Sequence, residues 1–380
     1  MKLNILKDEL NEAIQHVSKA ISYKTTIPIL SGIKIDAASN GITLTASDTD
    51  ITIQSFIPLE KQDKTIIQMH KTGSVVLPAK FFVEIIKKLP SHYIEIEVSE
   101  NYQTTIRSGS AEIQLVGMDP EEYPMMPRLE ENQVISISGV VLKTMIKQTG
   151  FAVSNNESTP VLTGVLCNLK QKKLKFVATD RHRLATSTIE VDTDAELELD
   201  NIVISGKTLN ELSKIIPDQD SVVHIVAADS QVLFKMESVL FYSRILDGTY
   251  PDTSKIISQN YQTELVVKTK LLTDAIDRAY LLSREEKTNI VKLAGEGERS
   301  IEISSSSSEL GKVKEEIEVV KLTGEPVKIS FNSKYMLDAL KVIDSEQIVI
   351  GFTGVMSPII IKPDQDVDMI HLILPYRTVN

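Results

Sequence analysis

The sequence predicts an α+β fold built three times over from paired helices and antiparallel sheets. Three observations carry this. A lysine-bearing helical segment recurs in fixed register, a second helical segment recurs upstream of it, and strand-like runs fill the intervals in hairpin-like groups.

The first recurrence is "VVLPAKFFVEIIKKLP" (75–90), "IVISGKTLNELSKIIP" (202–217) and "VKISFNSKYMLDALKVI" (327–343), which sets Lys80, Lys207 and Lys334 at intervals of 127 residues. Glu84, Glu211 and Asp338 follow four residues on; Lys87, Lys214 and Lys341 follow seven residues on. At about 100° per residue, Phe82, Ile85 and Leu89 fall on one apolar stripe of a helix. So do Leu209, Leu212 and Ile216, and Met336, Ala339 and Ile343. The two lysines of each copy then point away from the core, and the acid lies near enough to pair with the first of them. One such helix is an ordinary solvated face. Three copies in one register point to a shared role.

The upstream segments are "LKDELNEAIQHVSKAIS", "LKTMIKQTGFAVS" and "KLLTDAIDRAYLLS", ending at Ser22, Ser154 and Ser283. Leu10, Ile14, Val17 and Ile21, like Leu142, Ile146, Thr149 and Val153, keep helical spacing. Leu271, Ala275 and Leu282 continue the pattern, with Arg278 interrupting it. Two copies run into matching strands, "PILSGIKI" (28–35) and "PVLTGVLCNL" (160–169); the third, "TNIVKLAG" (288–295), is shorter. "IEIEV", "VVHIV", "VLFKMESVLFYSRIL" and "QIVIGF" are β-branched and aromatic, hence strands. "SSSSSELGKVKEE" (304–316) reads as a strand end and an exposed loop. Turn formers concentrate at 120–132 and 248–260, both with Tyr-Pro, at 123 and 250. Domains are therefore expected at 1–125, 126–254 and 255–380.

Composition narrows the function. A chain of 380 residues with 42% hydrophobic and 24% charged residues is that of a globular protein of several domains. No apolar run has the length of a membrane span, so no membrane role is expected. The acids in "MKLNILKDELNEAIQ" suit a mature N-terminus rather than a signal peptide. The net charge of −11 excludes a uniformly basic nucleic-acid module, though not one that gathers its cations on a single surface. The lone Cys167 excludes an intrachain disulfide and a cysteine-rich zinc site, and its strand-like setting suits a buried, inert thiol. A cytoplasmic location fits these features.

"KFVATDRHRLATSTIEV" (175–191) sets Asp180, Arg181, His182 and Arg183 side by side in the bend of a hairpin. Turn chemistry alone accounts for such residues. A polar-rimmed recognition surface is a second reading, and a hydrolase using Asp180 and His182 is a third. A repeat scaffold that binds only protein is a further alternative. No Walker loop, dinucleotide fingerprint, His-Glu-x-x-His or Gly-x-Ser-x-Gly occurs. The six histidines share no metal-ligand spacing, so neither metal nor cofactor is expected.

Together, the three repeats, "ATDRHRLA", "DGTYPD" and the C-terminal "LILPYR" resemble the bacterial DNA polymerase III beta subunit family, the replication sliding clamps, over essentially all of the chain. The resemblance implies a homodimeric ring of six similar domains, helices lining the hole, around double-stranded DNA held without sequence specificity. It implies that Lys80, Lys87, Lys207, Lys214, Lys334 and Lys341, with Lys24, face the DNA. It implies a peptide-binding pocket between the second and third domains for the polymerase catalytic subunit, the clamp loader, mismatch-repair and other clamp-binding proteins. Carried over by motif, its wall is Thr179, Arg181, His182, Arg183 and Leu184, with Leu162 as apolar floor. Pro251, Lys255, Ile256, Ser357, Leu372, Ile373, Leu374, Pro375, Tyr376 and Arg377 complete it, with Arg183, Lys255 and Arg377 at the rim. The dimer contact implied is Leu281 and Leu282 against an edge around Ile113 and Leu115. No catalytic residue is implied; the chain would be a subunit of a DNA-directed DNA polymerase, a nucleotidyltransferase only by association. Arg181, where the family often has a small residue, Lys255, where Arg is common, and the extra "TVN" after Arg377 depart from the family pattern.

Overall fold

The computed structural model describes residues 1–380 except 23, 127, 128, 130–132, 195, 220, 259, 286–288, 298, 366 and 378–380. The "TVN" extension thus lies outside the described residues. Six α-helices occur among the described residues: α1 (Lys7–Val17), α2 (Ala79–Lys88), α3 (Gly139–Gly150), α4 (Gly206–Ile215), α5 (Thr269–Ser283) and α6 (Ser333–Leu340).

The lysine-bearing segments are α2, α4 and α6, with Lys341 capping the last. Their apolar stripes are buried apart from the half-buried Ile85, and all six lysines are exposed. The expected acid pairing is corrected. Glu84 pairs with Lys88 at 3.3 Å and Glu211 with Lys214 at 2.6 Å, while Asp338 turns to Arg183. An acid before a base on a helix is the favoured order, because it also suits the helix dipole. Among the described residues, Lys80 and Lys334 therefore keep no helical acid partner, and Lys207 lies 3.9 Å from Glu157.

In α1 and α3 the buried positions include the expected Leu10, Ile14, Val17, Leu142, Ile146 and Thr149. In α5 the stripe lies elsewhere: Leu272, Ala275, Ile276, Ala279 and Ser283 are buried, and Leu271 and Leu282 flank them. Arg278 does not interrupt the core side; it faces outward and holds Glu315 through two hydrogen bonds of 2.8 and 2.5 Å.

Each helix is followed by an antiparallel meander, after a short connection for α2, α4, α5 and α6 and after a longer one, carrying a 3-10 turn, for α1 and α3. The meanders after the upstream helices are Gly32–Ala38, Gly41–Ser47, Ile51–Pro58; Gly164–Lys170, Lys173–Thr179, Arg183–Glu190; and Ile290–Gly295, Ser300–Ser307, Gly311–Glu318. The lysine-bearing helices are followed by Tyr93–Val98, Gln103–Ser108, Ala111–Val116; Val222–Ala227, Gln231–Lys235, Val239–Arg244; and Gln347–Phe352, Ile359–Pro363, Met369–Ile373. Two expectations change here. Pro28–Ser31 and Pro160–Thr163 are single 3-10 turns rather than strand, since Pro suits a first turn and the Ser31 and Thr163 hydroxyls donate back to the Pro28 and Pro160 carbonyls. Segment 304–316 is largely strand, joined by a tight turn at 308–310. Gly32 and Gly164 open the strands because a Cβ there would lie 2.5 Å from Val76 Cγ1 and 2.6 Å from Val203 Cγ1.

The chain divides into two units, residues 1–140 with 211–245 and residues 141–210 with 246–380. In the first, Ile51–Pro58 pairs with Val239–Arg244, joining meanders of two repeats into an eight-stranded sheet. In the second, Arg183–Glu190 pairs with Met369–Ile373, joining two more into a nine-stranded sheet. Cys167, in Gly164–Lys170, is buried, and burial pushes its thiol pKa up.

His371 lies on Met369–Ile373 within that sheet. Its Nε2 donates to the Gln148 carbonyl at 3.1 Å and its ring meets Phe151 edge-on, with centroids 5.2 Å apart. Burial lowers its pKa to about 4. The unfolded chain, with a His pKa near 6.5, binds the proton more readily, so this contribution is complete above pH 6.5 and is lost as the pH falls to about 4. It is worth about 3 kcal/mol. Thermal melts from pH 7 to 4.5 should show falling stability, and His371→Gln should flatten that slope. An unchanged slope in the variant would show that His371 is not buried in its neutral form.

Candidate functional site

The turn 179–183 is built by its own polar atoms. Thr179 Oγ1 donates to the Arg183 carbonyl at 2.6 Å and accepts the Arg181 N–H at 3.1 Å. Asp180 Oδ1 accepts the His182 and Arg183 N–H groups at 2.9 and 3.0 Å. Arg181 takes φ of 75°, a left-handed conformation that these bonds impose. The Thr179 N–H donates to the hydroxyl of buried Tyr250 at 3.0 Å, and the His182 carbonyl accepts the Leu374 N–H at 2.9 Å.

Arg183 is a correction. Expected at the rim, it is buried, with its Nε on Asp180 Oδ2 at 3.0 Å and its Nη1 on Asp338 Oδ2 at 2.7 Å. Its guanidinium lies 4.4 Å from the Tyr335 ring centroid and 5.4 Å from that of Phe151. The planar, five-donor guanidinium suits such a two-acid, two-ring cage, which a lysine cannot fill. Both oxygens of Asp180 are thus engaged with the turn, and the His182 ring stacks on Tyr335 with centroids 6.4 Å apart. Asp180 meets the His182 main chain and not its imidazole, so the geometry does not support a hydrolase.

Beside this turn lies an apolar floor. Leu162, Leu184 and Leu372 share one cluster with Val177, Tyr250 and Ile360. Strand alternation turns Leu372 to this side and Ile373 to the other, where Ile373 packs with Ile359 and Ile361 in a different core. Ile373 is therefore removed from the expected pocket wall. Leu374, Tyr376 and Ile256 are exposed apolar side chains near the chain's cationic groups in sequence: Lys255 and Arg377 are exposed, as are Pro251 and His182, and Pro375 and Ser357 are half-buried. Arg181 Nη2 reaches Thr159 Oγ1 at 3.2 Å. Tyr250, Tyr335 and Asp338 hold the site, yet the expected set omits them. The Tyr-Pro recurrence was a signal for Tyr250; a contact such as Arg183–Asp338, 155 residues apart, leaves no local signal.

Among the other expected residues, Lys24 is exposed, Leu281 is 51% exposed, Leu282 is half-buried, and Ile113 and Leu115 are half-buried on Ala111–Val116, the edge of a five-stranded sheet.

Residues 1–127, 136–252 and 254–377 match, in turn, the N-terminal, central and C-terminal domains of the DNA polymerase III beta subunit. The chain belongs to the DNA polymerase III beta subunit family. A beta sliding clamp of Bacillus subtilis is 51% identical over 378 residues, covering 100% of both chains, and one of Halalkalibacterium halodurans is 47% identical over 379 residues, again covering 100% of both. The crystal structure of the DNA polymerase sliding clamp from Bacillus subtilis matches with a TM-score of 0.97 at 50% identity, covering 100% of both chains. That of the DNA polymerase III beta chain from Streptococcus pneumoniae matches with a TM-score of 0.94 at 36% identity, covering 99% of this chain and 100% of that one.

In this beta subunit the cage around Arg183 ties the turn 179–183 to α6. Arg183→Ala should strand two carboxylates and open a void, costing about 3–5 kcal/mol. Calorimetry should record a lower melting temperature, restored only in part by Arg183→Lys. A melt indistinguishable from the parent protein would show that the cage contributes nothing.

Proposed function

We propose that this beta subunit is the sliding clamp that confers processivity on the bacterial replicative polymerase, acting in the cytoplasm, with domains 1–125, 126–254 and 255–380. Two copies close head to tail around duplex DNA. The observation that carries the reading is the threefold lysine face, exposed opposite a buried stripe on α2, α4 and α6. Lys80, Lys87, Lys207, Lys214, Lys334 and Lys341, with Lys24, would meet phosphates, which carry no sequence information. Such contacts are salt-sensitive and leave DNA free to slide. Retention comes from the closed ring rather than from affinity, which accommodates a net charge of −11.

Strand pairing supports the closure. Both internal junctions join the third strand of one repeat's first meander to the last strand of the next repeat. The counterparts without such a partner are Gly311–Glu318 and Ala111–Val116, and each is a sheet edge. We read these as the two halves of the junction between copies, with Leu281 and Leu282 on the helix packed over the first and Ile113 and Leu115 on the second. The cleft at Thr179, Arg181, His182, Leu162, Leu184, Leu372 and Leu374 would take short apolar-ended peptides of the polymerase catalytic subunit, the clamp loader and repair proteins, with Lys255 and Arg377 offering charge. The chain contributes no nucleotidyl transfer of its own. Among the described residues no group of three or more His, Cys, Asp or Glu side chains could hold a metal ion.

Sedimentation should give a two-chain assembly, and Ile113→Glu with Leu115→Glu should give single chains. Loaded on nicked circular DNA, the protein should stay bound through gel filtration and be shed when the circle is linearised. Retention indifferent to DNA ends would overturn the ring. Reversing Lys80, Lys207 and Lys334 to Glu should reduce loading most at low salt and flatten its salt dependence, while leaving the two-chain assembly intact.

A further inference from the structure

The first unit contains a second copy of the 179–183 turn. Ser47, Asp48, Thr49, Asp50 and Ile51 stand 132 residues before Thr179, Asp180, Arg181, His182 and Arg183. Ser47 Oγ donates to the Ile51 carbonyl at 3.1 Å and accepts the Thr49 N–H at 3.3 Å. Asp48 Oδ1 accepts the Asp50 and Ile51 N–H groups at 3.0 and 2.8 Å. Thr49 takes φ of 83°, as Arg181 takes 75°. The returning strand closes alike: the Arg244 N–H donates to the Asp50 carbonyl at 2.9 Å, as the Leu374 N–H does to that of His182. Leu30 occupies the 3-10 turn as Leu162 does, and Tyr123-Pro124 answers Tyr250-Pro251.

A cleft of about 170 Å³ opens here, with Leu30, Thr52, Tyr123, Met125, Gln231 and Arg244 in its lining. Leu30 and Tyr123 are buried and pack with Ile29 and Val76, giving an apolar floor. Met125 is 98% exposed, a flexible thioether wall able to adapt to an incoming side chain. Arg244 is exposed and has no carboxylate at ion-pair distance among the described residues.

We infer that this cleft is a second peptide-docking site, for an extended segment of a partner protein that carries an apolar anchor and a carboxylate. The anchor sits on Leu30 and Tyr123, and the carboxylate meets Arg244. The inference rests on reading the 179–183 turn as the wall of a peptide cleft. The two sites differ in charge: Arg181 and His182 are replaced by Thr49 and Asp50, so the second cleft sets the cation of Arg244 against the carboxylate of Asp50, and a peptide carboxylate must approach from the Arg244 side.

Methyl-labelled methionines distinguish the two clefts in the full-length protein. Met125 and Met126 line the second, and Met356 adjoins Ser357 of the first. Titration with the probe N-acetyl-Asp-Leu-Phe-amide should shift the Met125 and Met126 methyl resonances. Arg244→Glu, an exposed substitution, should weaken that response by about tenfold in Kd, leaving any Met356 response unchanged. Met125→Asp should abolish the Met126 response. Met125 and Met126 silent at millimolar probe, or an Arg244→Glu titration identical to the parent's, would overturn the inference. A silent Met356 with responsive Met125 and Met126 would overturn the first cleft and uphold the second.

Discussion

A sheet edge left without a partner exposes a row of main-chain donors and acceptors, and this chain is organised around covering such edges. Each repeat supplies one meander that ends on an open third strand and another that ends on an open last strand. Ile51–Pro58 finds Val239–Arg244, and Arg183–Glu190 finds Met369–Ile373. The repeats are thereby fused through main-chain hydrogen bonds, which do not depend on the identity of the side chains. Each fusion brings a tight turn beside the residue that follows or ends the returning strand, and at the first fusion a cleft lies against that turn. The same turn thus recurs wherever an edge is covered in this way, and the side chains around it differ.

At the second fusion, side chains add a lock that the first lacks. Arg183 bridges Asp180 in its own turn and Asp338 on α6, between two aromatic rings. Its counterpart at the first fusion is Ile51, which is buried without charge. The same backbone geometry is thus reached twice, once with a paired ionic cage and once with an aliphatic side chain. Breaking a buried ion pair is costly, whereas apolar burial achieves similar stability without charge. The cage therefore specifies where α6 lies relative to the turn more than it adds net stability.

Much of this was legible. Period and register revealed the helices, the stripes and the six exposed lysines, because burial of one face imposes a 3.6-residue rhythm on the sequence. The hairpin at 175–191 was equally plain, since a polar bend separates two β-branched runs. What was hidden lay in choices among near-equal neighbours. Glu84 stands four residues from both Lys80 and Lys88, and only helix direction selects Lys88. In α5, Leu271 and Leu272 are adjacent leucines, and packing chose the second. Ile373 and Leu372 face opposite cores, which the apolar run "LILP" does not disclose. Arg183 looked like a surface cation because its acid, Asp338, lies on a distant helix.

The burial of Cys167 has a practical corollary. It is the only thiol in the chain, shut inside a central strand and held in its protonated, unreactive form at neutral pH. Maleimide dyes would therefore ignore the native molecule and mark only a cysteine introduced by design. Fluorophore pairs for watching ring opening could be placed on this chain without first removing its own sulfhydryl.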